Sequence, residues 1–416
     1  MLSIERSYSI QHSIRFIQES DVLFKQNIKK QGGDYTKCTV AVCCVSGVLT
    51  SRSFYEDAVS LRVDIFDYNL PEELIAREPC EKRDESRMMV IERNTCTIEH
   101  RHFCDITDFL TSDDVMVVND TKVFPARLIG KRAHHGGNVE ALLLRELKPL
   151  EWLALVRPGK KIKKGETLSF GNTMMQGEVT GYGDVGERII RFSCKKDFWE
   201  VINRIGQTPL PPYIIRSRKK EEGIERFMIE DKPFDRERYQ TVYARVRGSI
   251  AAPTAGFHFT DALLERIEKK GVRIVKVTLH VGEATFKPVA TEYVEQHKMG
   301  TERYAIDEET CDLLNDTKKK VGKVVAVGTT SVRTLESVAD KDGYVSPGTG
   351  ETSLMICPGY TFKVVGGLVT NFHLPRSTLL MLVSAFAGTE LIKKAYKEAV
   401  ARAYHFYSYG DAMLIV

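Results

Sequence analysis

Three histidines of this chain share similar surroundings, and they raise the first chemical question. His258 lies in the stretch FHFT, His280 in TLHVGEATF and His373 in TNFHLPRST. In each stretch the histidine stands beside Thr, Gly or Pro where an apolar run breaks. Imidazole titrates close to neutral pH, so such residues can accept and donate protons around a reacting substrate. Catalytic proton transfer is therefore one function that the pattern indicates.

Other functions for the same histidines stay open. A single histidine of this kind is as often a core or turn-stabilising residue. Three imidazoles from three loops could also bind zinc, but the sequence has neither H-E-x-x-H nor a matching carboxylate spacing. A serine hydrolase would need a G-x-S-x-G motif, which is also missing from the sequence. We therefore expect no metal site.

The stretch AVGTTSVRTLES has the features of an anion-binding turn. Gly328 permits a tight turn, and the hydroxyls of Thr329, Thr330 and Ser331 follow it at the predicted start of a helix. Free backbone N–H groups at such a start bind negative charge. The spacing is not that of a Walker loop, and an ordinary helix cap would explain the same residues.

Strands and helices alternate around these motifs. RMMVIER, DVMVVND, KVVAVG and the terminal DAMLIV are predicted strands, and FTDALLERIEKKG is a predicted helix that begins after Thr260. The run VRIVKVTLHVG alternates, which places Lys276, Thr278 and His280 on the face opposite the apolar residues. This order predicts an α/β fold with a mixed sheet, whose ligands bind at the carboxyl ends of strands.

A different pattern interrupts the α/β region. Short strand-like pieces separated by Gly, Lys and Asp fill residues 125–196 and predict an inserted small all-β barrel or sandwich domain. The α/β catalytic domain then comprises residues 61–124 and 197–416. Residues 1–60 show weak periodicity, and we interpret them as an N-terminal extension, either disordered or the result of a start codon assigned too early.

Composition is that of a globular protein with reduced thiols. The chain has 416 residues, 43% of them hydrophobic and 28% charged, with a net charge of +4. An odd number of cysteines, nine, without C-x-x-C, favours the cytoplasm, and no apolar run reaches the length of a membrane span. We expect a cytoplasmic protein that is a monomer and does not bind membranes.

Aromatic and basic residues of two stretches, PLPPYIIR and RYQTVYARVRG, suit RNA binding. Tyrosine rings stack on bases, amides pair with base edges, and lysine clusters contact phosphates. Solvated faces and a proline-rich spacer would explain the same residues. The predicted RNA-binding residues are Tyr213, Arg216, Tyr239, Gln240, Tyr243, Lys160 and Lys161.

Taken together, the motifs resemble the S-adenosylmethionine:tRNA ribosyltransferase-isomerase family of queuosine biosynthesis. The resemblance runs in order from about Val63 to the C-terminus and leaves residues 1–60 outside. The motifs that carry it include NDTKVFPARL, PLPPYI, YQTVYARVRGSIAAPTAGFHFTDALLE, VTLHVGEATFKPV, HKMGTE, VVAVGTTSVRTLES, TNFHLPRSTLLMLVSAFAG and YHFYSYGDAMLI.

This resemblance implies a particular reaction. The family moves the ribosyl part of S-adenosylmethionine onto 7-aminomethyl-7-deazaguanine at the wobble position of tRNA. The ribosyl group rearranges to an epoxycyclopentanediol, and adenine and methionine leave. The resemblance implies no cofactor and no metal, with S-adenosylmethionine and tRNA as the partners.

The resemblance also lets roles be assigned as expectations. His258, His280 and His373 would handle protons, and the hydroxyls after Gly328 would hold the methionine carboxylate or a tRNA phosphate. Aromatic rings would face the sulfonium, and Asp411 would bind an amine or a ribose hydroxyl. The predicted substrate-binding residues are Thr254, Phe257, Thr329, Thr330, Ser331, Arg333, Asn371, Phe372, Tyr409 and Asp411.

At several positions the chain departs from the family pattern. Gly300 stands where a second histidine is usual, Gly366 where an aspartate is usual, His405 where an arginine is usual and Ala284 where glycine is common. The lost acid and histidine leave open a degenerate, inactive relative that retains only tRNA binding. A non-catalytic RNA-binding protein and a metallohydrolase that uses the histidines are two further alternatives.

Overall fold

The computed structural model describes residues 60–184, 186–223, 225–282 and 288–416. The prediction of an N-terminal extension over residues 1–60 thus falls almost entirely outside the described residues. The strands are β1 (Arg87–Glu92), β2 (Thr97–His102), β3 (Val115–Asn119), β4 (Thr121–Val123), β5 (Arg127–Arg132), β6 (Asn138–Lys148), β7 (Glu151–Arg157), β8 (Thr167–Phe170), β9 (Met175–Tyr182), β10 (Glu187–Cys194), β11 (Val246–Ser249), β12 (Arg273–Leu279), β13 (Glu302–Ile306), β14 (Val324–Val327), β15 (Gly348–Thr352), β16 (Gly367–Asn371) and β17 (Ala412–Ile415). The α-helices are α1 (Phe198–Ile205), α2 (Pro212–Glu222), α3 (Asp235–Arg238), α4 (Asp261–Lys269), α5 (Glu308–Lys318), α6 (Thr329–Val338), α7 (Thr378–Ala387) and α8 (Thr389–Ala401).

A nine-stranded mixed sheet forms the centre of the α/β region. Its order is β15-β13-β12-β3-β14-β16-β17-β1-β2. The four strands β12, β3, β14 and β16 are parallel to one another, while β17 runs antiparallel to β16. The predicted mixed-sheet α/β fold is therefore confirmed.

β3 shows why this sheet forms. All five of its residues are buried, because a central parallel strand is covered on both faces. Val115 and Val117 belong to the apolar core on one face, and Met116 and Val118 to the core on the other. Burying a side chain of this size contributes roughly 1.5–3 kcal/mol, so the run fixes the strand at the centre of the sheet.

The predicted all-β region is a closed barrel. Its six antiparallel strands run in the order β10-β7-β6-β5-β8-β9, and β9 pairs with β10 to close it. β7 alternates between buried and half-buried residues, so that Trp152, Ala154 and Val156 fill the interior. All six strands lie within residues 125–196, and the domain boundaries themselves stay a prediction.

The barrel is connected to the sheet by a parallel pair of short strands. β4 precedes the barrel in the chain, β11 follows it, and the two pair with each other. β4 also follows β3 after a single residue. The chain therefore enters the barrel from the carboxyl end of β3 and returns to the same place after it. As a result β11 lies next to the predicted binding edge.

The sequence predicts the start of one helix near the site but not the start of another. α4 begins as predicted, because the Thr260 hydroxyl accepts a hydrogen bond of 3.1 Å from the N–H of Leu263. The proline-rich stretch, in contrast, is a spacer only as far as Pro211. Pro212 occupies the first turn of α2, where its fixed φ favours a helix and its missing N–H costs nothing.

The described part of the chain contains free cysteines and no long apolar helix. The free cysteines among the described residues are Cys80, Cys96, Cys104, Cys194, Cys311 and Cys357. In the part of the chain that the structure describes, no helix combines the length and apolar character needed to cross a membrane.

Candidate active site

Polar residues collect where the parallel strands end. β3, β12, β14 and β16 are parallel, so their carboxyl ends lie along one edge of the sheet. Asn119 ties three of these ends together. Its side-chain Nδ2 donates to the Leu279 carbonyl at 3.0 Å and to the Thr330 hydroxyl at 3.1 Å, and its Oδ1 accepts from the Leu279 N–H at 3.0 Å. This buried amide fixes the relative positions of the strand ends.

The start of α6 forms at the end of β14. Gly328 has φ 86°, a conformation that glycine adopts without strain, and its N–H donates to the Val369 carbonyl at 2.7 Å. Thr329 and Thr330 then line a cavity at the helix start. The hydroxyl of Ser331 instead donates to the Val327 carbonyl at 2.7 Å. Of the residues predicted to bind an anion here, Gly328, Thr329 and Thr330 line the cavity, and the Ser331 hydroxyl is used within the protein.

Arg333 lies one turn along α6 and is buried. Its Nη1 pairs with the carboxylate of Glu302, and its Nε donates to the Leu354 carbonyl at 3.1 Å. Its Nη2 has no hydrogen-bond partner among the described residues. Arg333 also lines a small cavity together with Thr329, Thr330 and Gly300. This unpartnered nitrogen is itself buried beside the helix start.

His258 is held inside the protein by both ring nitrogens. The Asn371 amide donates to Nε2 at 3.2 Å, and Nδ1 lies 2.7 Å from the Ser86 hydroxyl. Because an amide nitrogen can only donate, the neutral ring carries its proton on Nδ1 and donates it to Ser86. Thr254 extends this series of hydrogen bonds, because its hydroxyl donates to the Asn371 side-chain oxygen at 2.9 Å. His258 thus orients two residues that line the cavity at the helix start, Thr254 and Asn371.

His373 lines the same cavity and has a well-defined backbone position. Two phenols fix its main chain: the Tyr68 hydroxyl donates to its carbonyl at 2.6 Å, and its N–H donates to the Tyr396 oxygen at 2.9 Å. Its Nε2 lies 2.9 Å from the Thr370 hydroxyl. The structure shows no partner for Nδ1 within the described ranges, so this nitrogen can interact with a ligand.

His280 faces a different space. Its Nδ1 lies 2.8 Å from the Thr121 hydroxyl, and Nε2 has no partner among the described residues. The ring is half-buried and packs on Gly248, where an added Cβ would lie 2.5 Å from the imidazole. Of the three histidines, His280 lines the largest of the cavities near the strand ends, an open cleft of about 750 Å³.

The structure therefore brings the three histidines to one edge of the sheet but not into one cavity. His373 lines the cavity of about 50 Å³ at the start of α6, which has room for one polar group of a substrate. His280 lines the open cleft, and the next residue, Val281, lines the smaller cavity. His258 reaches the cavity only through Asn371. The two spaces thus lie on either side of the end of β12.

Burial keeps the histidines neutral. Desolvation, together with a smaller effect of the nearby Arg83 guanidinium, lowers the pKa of His258 to about 3. Desolvation alone lowers the pKa of His373 to about 3. The pKa of His280 is lowered by desolvation and by Arg303, and the carboxylate of Asp120 partly opposes this shift. All three rings are therefore unprotonated at pH 7.

A pH dependence of stability follows from these shifts. In the unfolded chain His258 and His373 titrate near 6.5, whereas in the folded chain their pKa is about 3. Between these values the unfolded state binds more protons, so the free energy of unfolding falls as the pH is lowered. Each histidine contributes about 1.4 kcal/mol per pH unit well below pH 6.5.

Urea unfolding at pH 7, 6 and 5 tests this expectation. We expect His258→Gln and His373→Gln each to show a smaller loss of stability on acidification than the unchanged protein. His134→Gln is the control, because His134 is exposed on the barrel. Equal pH slopes for all four proteins would contradict the burial argument.

Several predicted substrate-binding residues lie beside the cavity rather than in it. Phe257 and Tyr409 stack on each other with ring centroids 5.8 Å apart, inside a separate apolar cluster. Phe372 lines the cavity but also packs against Tyr396 and Phe406. Both carboxylate oxygens of Asp411 accept backbone N–H groups, from Arg87 at 2.9 Å and from His405 at 2.8 Å. Asp411 therefore holds the amino ends of β1 and β17.

The residues predicted to bind RNA are dispersed. Tyr239 is 1% exposed, so its ring is not available to stack on a base in this conformation. Gln240 uses both ends of its amide on the backbone of Val123, at 3.1 Å each. The ring of Tyr243 packs against Gly256, and the ring of Tyr213 packs against Tyr407. The exposed residues of the set are Arg216, Lys160 and Lys161.

Sequence reasoning missed three residues that build the site. They are Asn119, the last residue of β3, then Asp120, and Thr121, the first residue of β4. Asp120 accepts from the Thr278 hydroxyl at 2.6 Å. The available signal was the polar triplet at the end of an apolar strand, NDT in VVNDTK. Ser86 had no such signal, because its contact with His258 spans 172 residues of chain.

The departures from the family pattern fall in different places. Gly300 lines the small cavity beside Arg333. Gly366 precedes β16 at the opposite end of the sheet, where its carbonyl accepts from Arg93 at 2.7 Å. His405 is exposed, and Ala284 lies outside the described residues. Of the described departures, Gly300 is the one beside the site.

The fold and site define an α/β enzyme whose binding spaces lie at the carboxyl ends of parallel strands, next to a closed β-barrel. The chain belongs to the queuosine biosynthesis protein family, whose model matches residues 63–415. The family expected from the motifs is therefore confirmed.

Individual relatives agree with this assignment. The chain is 50% identical over 357 residues to S-adenosylmethionine:tRNA ribosyltransferase-isomerase of Desulforamulus reducens, covering 86% of this chain and 100% of the relative. It is 52% identical over 356 residues to the protein of that name from Symbiobacterium thermophilum, covering 86% and 100%. A crystal structure of S-adenosylmethionine tRNA ribosyltransferase from Thermotoga maritima is 39% identical, covers 85% of this chain and 100% of that chain, and has a TM-score of 0.47.

Proposed function

We propose that this protein is an S-adenosylmethionine:tRNA ribosyltransferase-isomerase. It transfers the ribosyl moiety of S-adenosylmethionine to 7-aminomethyl-7-deazaguanine at the tRNA wobble position and isomerises it, which gives epoxyqueuosine-tRNA and releases adenine and methionine. The observation that carries the proposal is identity of about 50% across the full length of relatives with this name.

The residues at the strand ends suit this chemistry. A sulfonium acidifies the adjacent ribose 5′ carbon, so a neutral base within reach can remove a proton from it. His280 is the base in this proposal, because its ring is unprotonated and its Nε2 is open to the cleft. His373 orients the substrate through Nδ1, and His258 positions Asn371 from behind.

The methionine end of the substrate has a matching site. Its carboxylate binds at the start of α6, where backbone N–H groups favour negative charge and Nη2 of Arg333 is unpartnered. Phe372 lines the same cavity, but its ring is fully buried against Tyr396 and Phe406, so in this proposal the sulfonium lies outside the cavity. The contacts at the start of α6 select the methionine carboxylate of the substrate rather than its nucleobase.

Incubation with both substrates tests the proposed function. We expect S-adenosylmethionine and tRNA carrying 7-aminomethyl-7-deazaguanine to give the epoxycyclopentanediol nucleoside, detected by nucleoside mass spectrometry, together with free adenine and methionine. tRNA with an unmodified guanine is the matched control. tRNA binding without any product would instead support the inactive relative, for which no comparison gives evidence.

The remaining properties are proposals of the same kind. The enzyme acts as a cytoplasmic monomer on tRNA and S-adenosylmethionine, without a metal or a bound cofactor and without a membrane partner. Light scattering of the purified protein measures its mass, and elemental analysis measures zinc, manganese and iron. A stoichiometric metal or a stable dimer would require a revision of these points.

A further inference from the structure

The open cleft beside β12 combines exposed cations with an aromatic ring. Lys276, Thr278 and His280 project into it from β12, and Arg303 and Tyr304 contribute from β13. Both Lys276 and Arg303 are exposed. With a volume of about 750 Å³ the cleft is many times larger than the cavity at the start of α6. It can therefore accept a large ligand.

Three basic residues of the cleft lining, Arg245, Lys276 and Arg303, stand against two acidic residues, so the lining has a net positive charge. Of the acidic residues, Asp307 caps α5 by accepting from the Thr310 N–H at 2.9 Å, and Glu351 lies 3.8 Å from Arg145 of the barrel. Lys276 and Arg303 have no ion-pair partner within the described residues, whereas Arg245 pairs with the buried Asp120 at 2.8 Å. The free positive charges thus come from one lysine and one arginine on adjacent strands.

The neighbouring edge strand, β15, also lines the cleft. β15 contributes Gly348, Thr349 and Gly350, and an added Cβ at Gly350 would lie 2.6 Å from the Tyr304 hydroxyl. The Tyr304 ring therefore lies across a strand without a side chain at that point. Aromatic rings in a basic groove are the elements that bind nucleic-acid strands, since bases stack on the ring and phosphates contact the cations.

The cleft also adjoins the proposed reaction site. His280 lines the cleft, and Val281, the next residue, lines the cavity that holds Thr329 and His373. Arg145 and Glu351 connect the rim of the cleft to the barrel. An RNA strand in the cleft would therefore present one base at the end of β12, beside the substrate at the start of α6.

We propose that this cleft is the RNA-binding groove, in which Lys276 and Arg303 contact phosphates of the anticodon strand and Tyr304 stacks on a base. The inference rests on the proposed function, because it identifies the groove for the tRNA substrate. It replaces the dispersed set Tyr213, Tyr239, Gln240 and Tyr243, whose side chains are engaged within the protein. It also replaces Arg216, Lys160 and Lys161, which are exposed but do not line the cleft.

Binding of tRNA at several salt concentrations tests this assignment. We expect the Lys276→Gln/Arg303→Gln protein to bind tRNA about tenfold more weakly than the unchanged protein at about 0.1 M salt. The slope of the logarithm of its tRNA association constant against the logarithm of salt concentration should be smaller in magnitude by about 1 to 2. Tyr304→Leu should weaken binding of the anticodon stem-loop about fivefold or more without changing the salt slope, because stacking carries no charge.

Two matched double variants complete the design. Lys160→Gln/Lys161→Gln removes two exposed charges from the barrel, and Lys341→Gln/Lys393→Gln removes two elsewhere. We expect the salt slopes of both to equal that of the unchanged protein. A slope lowered by the barrel variant, with the cleft variant unaffected, would overturn the assignment and locate the RNA on the barrel.

The two experiments distinguish failure of the proposed RNA-binding groove from failure of the proposed function. If the unchanged protein forms the epoxycyclopentanediol nucleoside and the cleft variants bind tRNA normally, the groove is wrong and the function stands. If the unchanged protein binds tRNA through the cleft but forms no product, the groove stands and the function is wrong.

Discussion

His280→Gln is expected to lower kcat for ribosyl transfer by about 10²- to 10⁴-fold, the usual contribution of a general base. Glutamine retains a polar side chain but cannot take up a proton. His280 is the histidine at the strand ends that combines partial exposure, a lowered pKa and an Nε2 open to the cleft. Single-turnover assays with S-adenosylmethionine and precursor tRNA measure the effect.

The dependence of kcat on pH provides a second test of His280 as the base. A general base must be unprotonated, so kcat falls on the acid side of its pKa. Because desolvation lowers the pKa of His280 below its ordinary value of 6.5, the acid limb of the profile should lie below pH 6.5. The residual activity of His280→Gln should lack this limb.

His258→Gln is the informative comparison. Both nitrogens of His258 are bonded inside the protein, so its replacement should act through the orientation of Asn371 and leave the acid limb in place. The exposed His134 provides a control without an expected effect. Rates for His280→Gln within threefold of the unchanged protein would remove His280 from the mechanism.

Local patterns made much of the fold predictable. The alternation in VRIVKVTLHVG placed Lys276, Thr278 and His280 on one face, and the structure confirms this because all three line the open cleft. The short strand-like pieces of residues 125–196 likewise correspond to the six barrel strands. Both signals depend on the two-residue period of a strand. This period can be read within one short stretch of sequence, without knowledge of distant contacts.

The site was less predictable because its contacts are long-range. Three histidines with similar neighbours suggested similar functions, yet their partners come from distant segments. Ser86 and Asn371 occupy both nitrogens of His258, and Thr121 meets His280 across 159 residues. Burial of Tyr239 also depends on packing against Phe257 and Tyr409, which no local pattern contains. Residue types thus indicated the chemistry, but only packing shows which nitrogen can perform it.

Arg333→Met is expected to affect both substrate binding and stability. The variant loses the Nη2 group beside the start of α6, so KM for S-adenosylmethionine should rise about 10- to 100-fold, as for loss of a hydrogen bond to a charged group. Glu302 also loses its guanidinium partner in a buried position, which should lower the free energy of unfolding by about 3 kcal/mol. Steady-state kinetics and urea unfolding measure the two effects.

A second variant separates these two effects. In Glu302→Gln/Arg333→Met both charges are removed, so much of the stability should return while KM stays high. Arg101→Met is the matched control, because Arg101 pairs with Glu99 at 2.7 Å on the surface, where such a pair contributes about 0–1 kcal/mol.

A comparison of two substrates, with and without the methionine carboxylate, tests whether Arg333 binds that group. The unchanged enzyme should prefer S-adenosylmethionine to its decarboxylated analogue by about 10- to 100-fold in kcat/KM, and Arg333→Met should lose this preference. A merely structural Arg333 would lower activity towards both substrates equally. If Glu302→Gln/Arg333→Met regains stability and discriminates as strongly as the unchanged enzyme, Arg333 does not bind the carboxylate, because the N–H groups at the start of α6 remain in place and suffice for it.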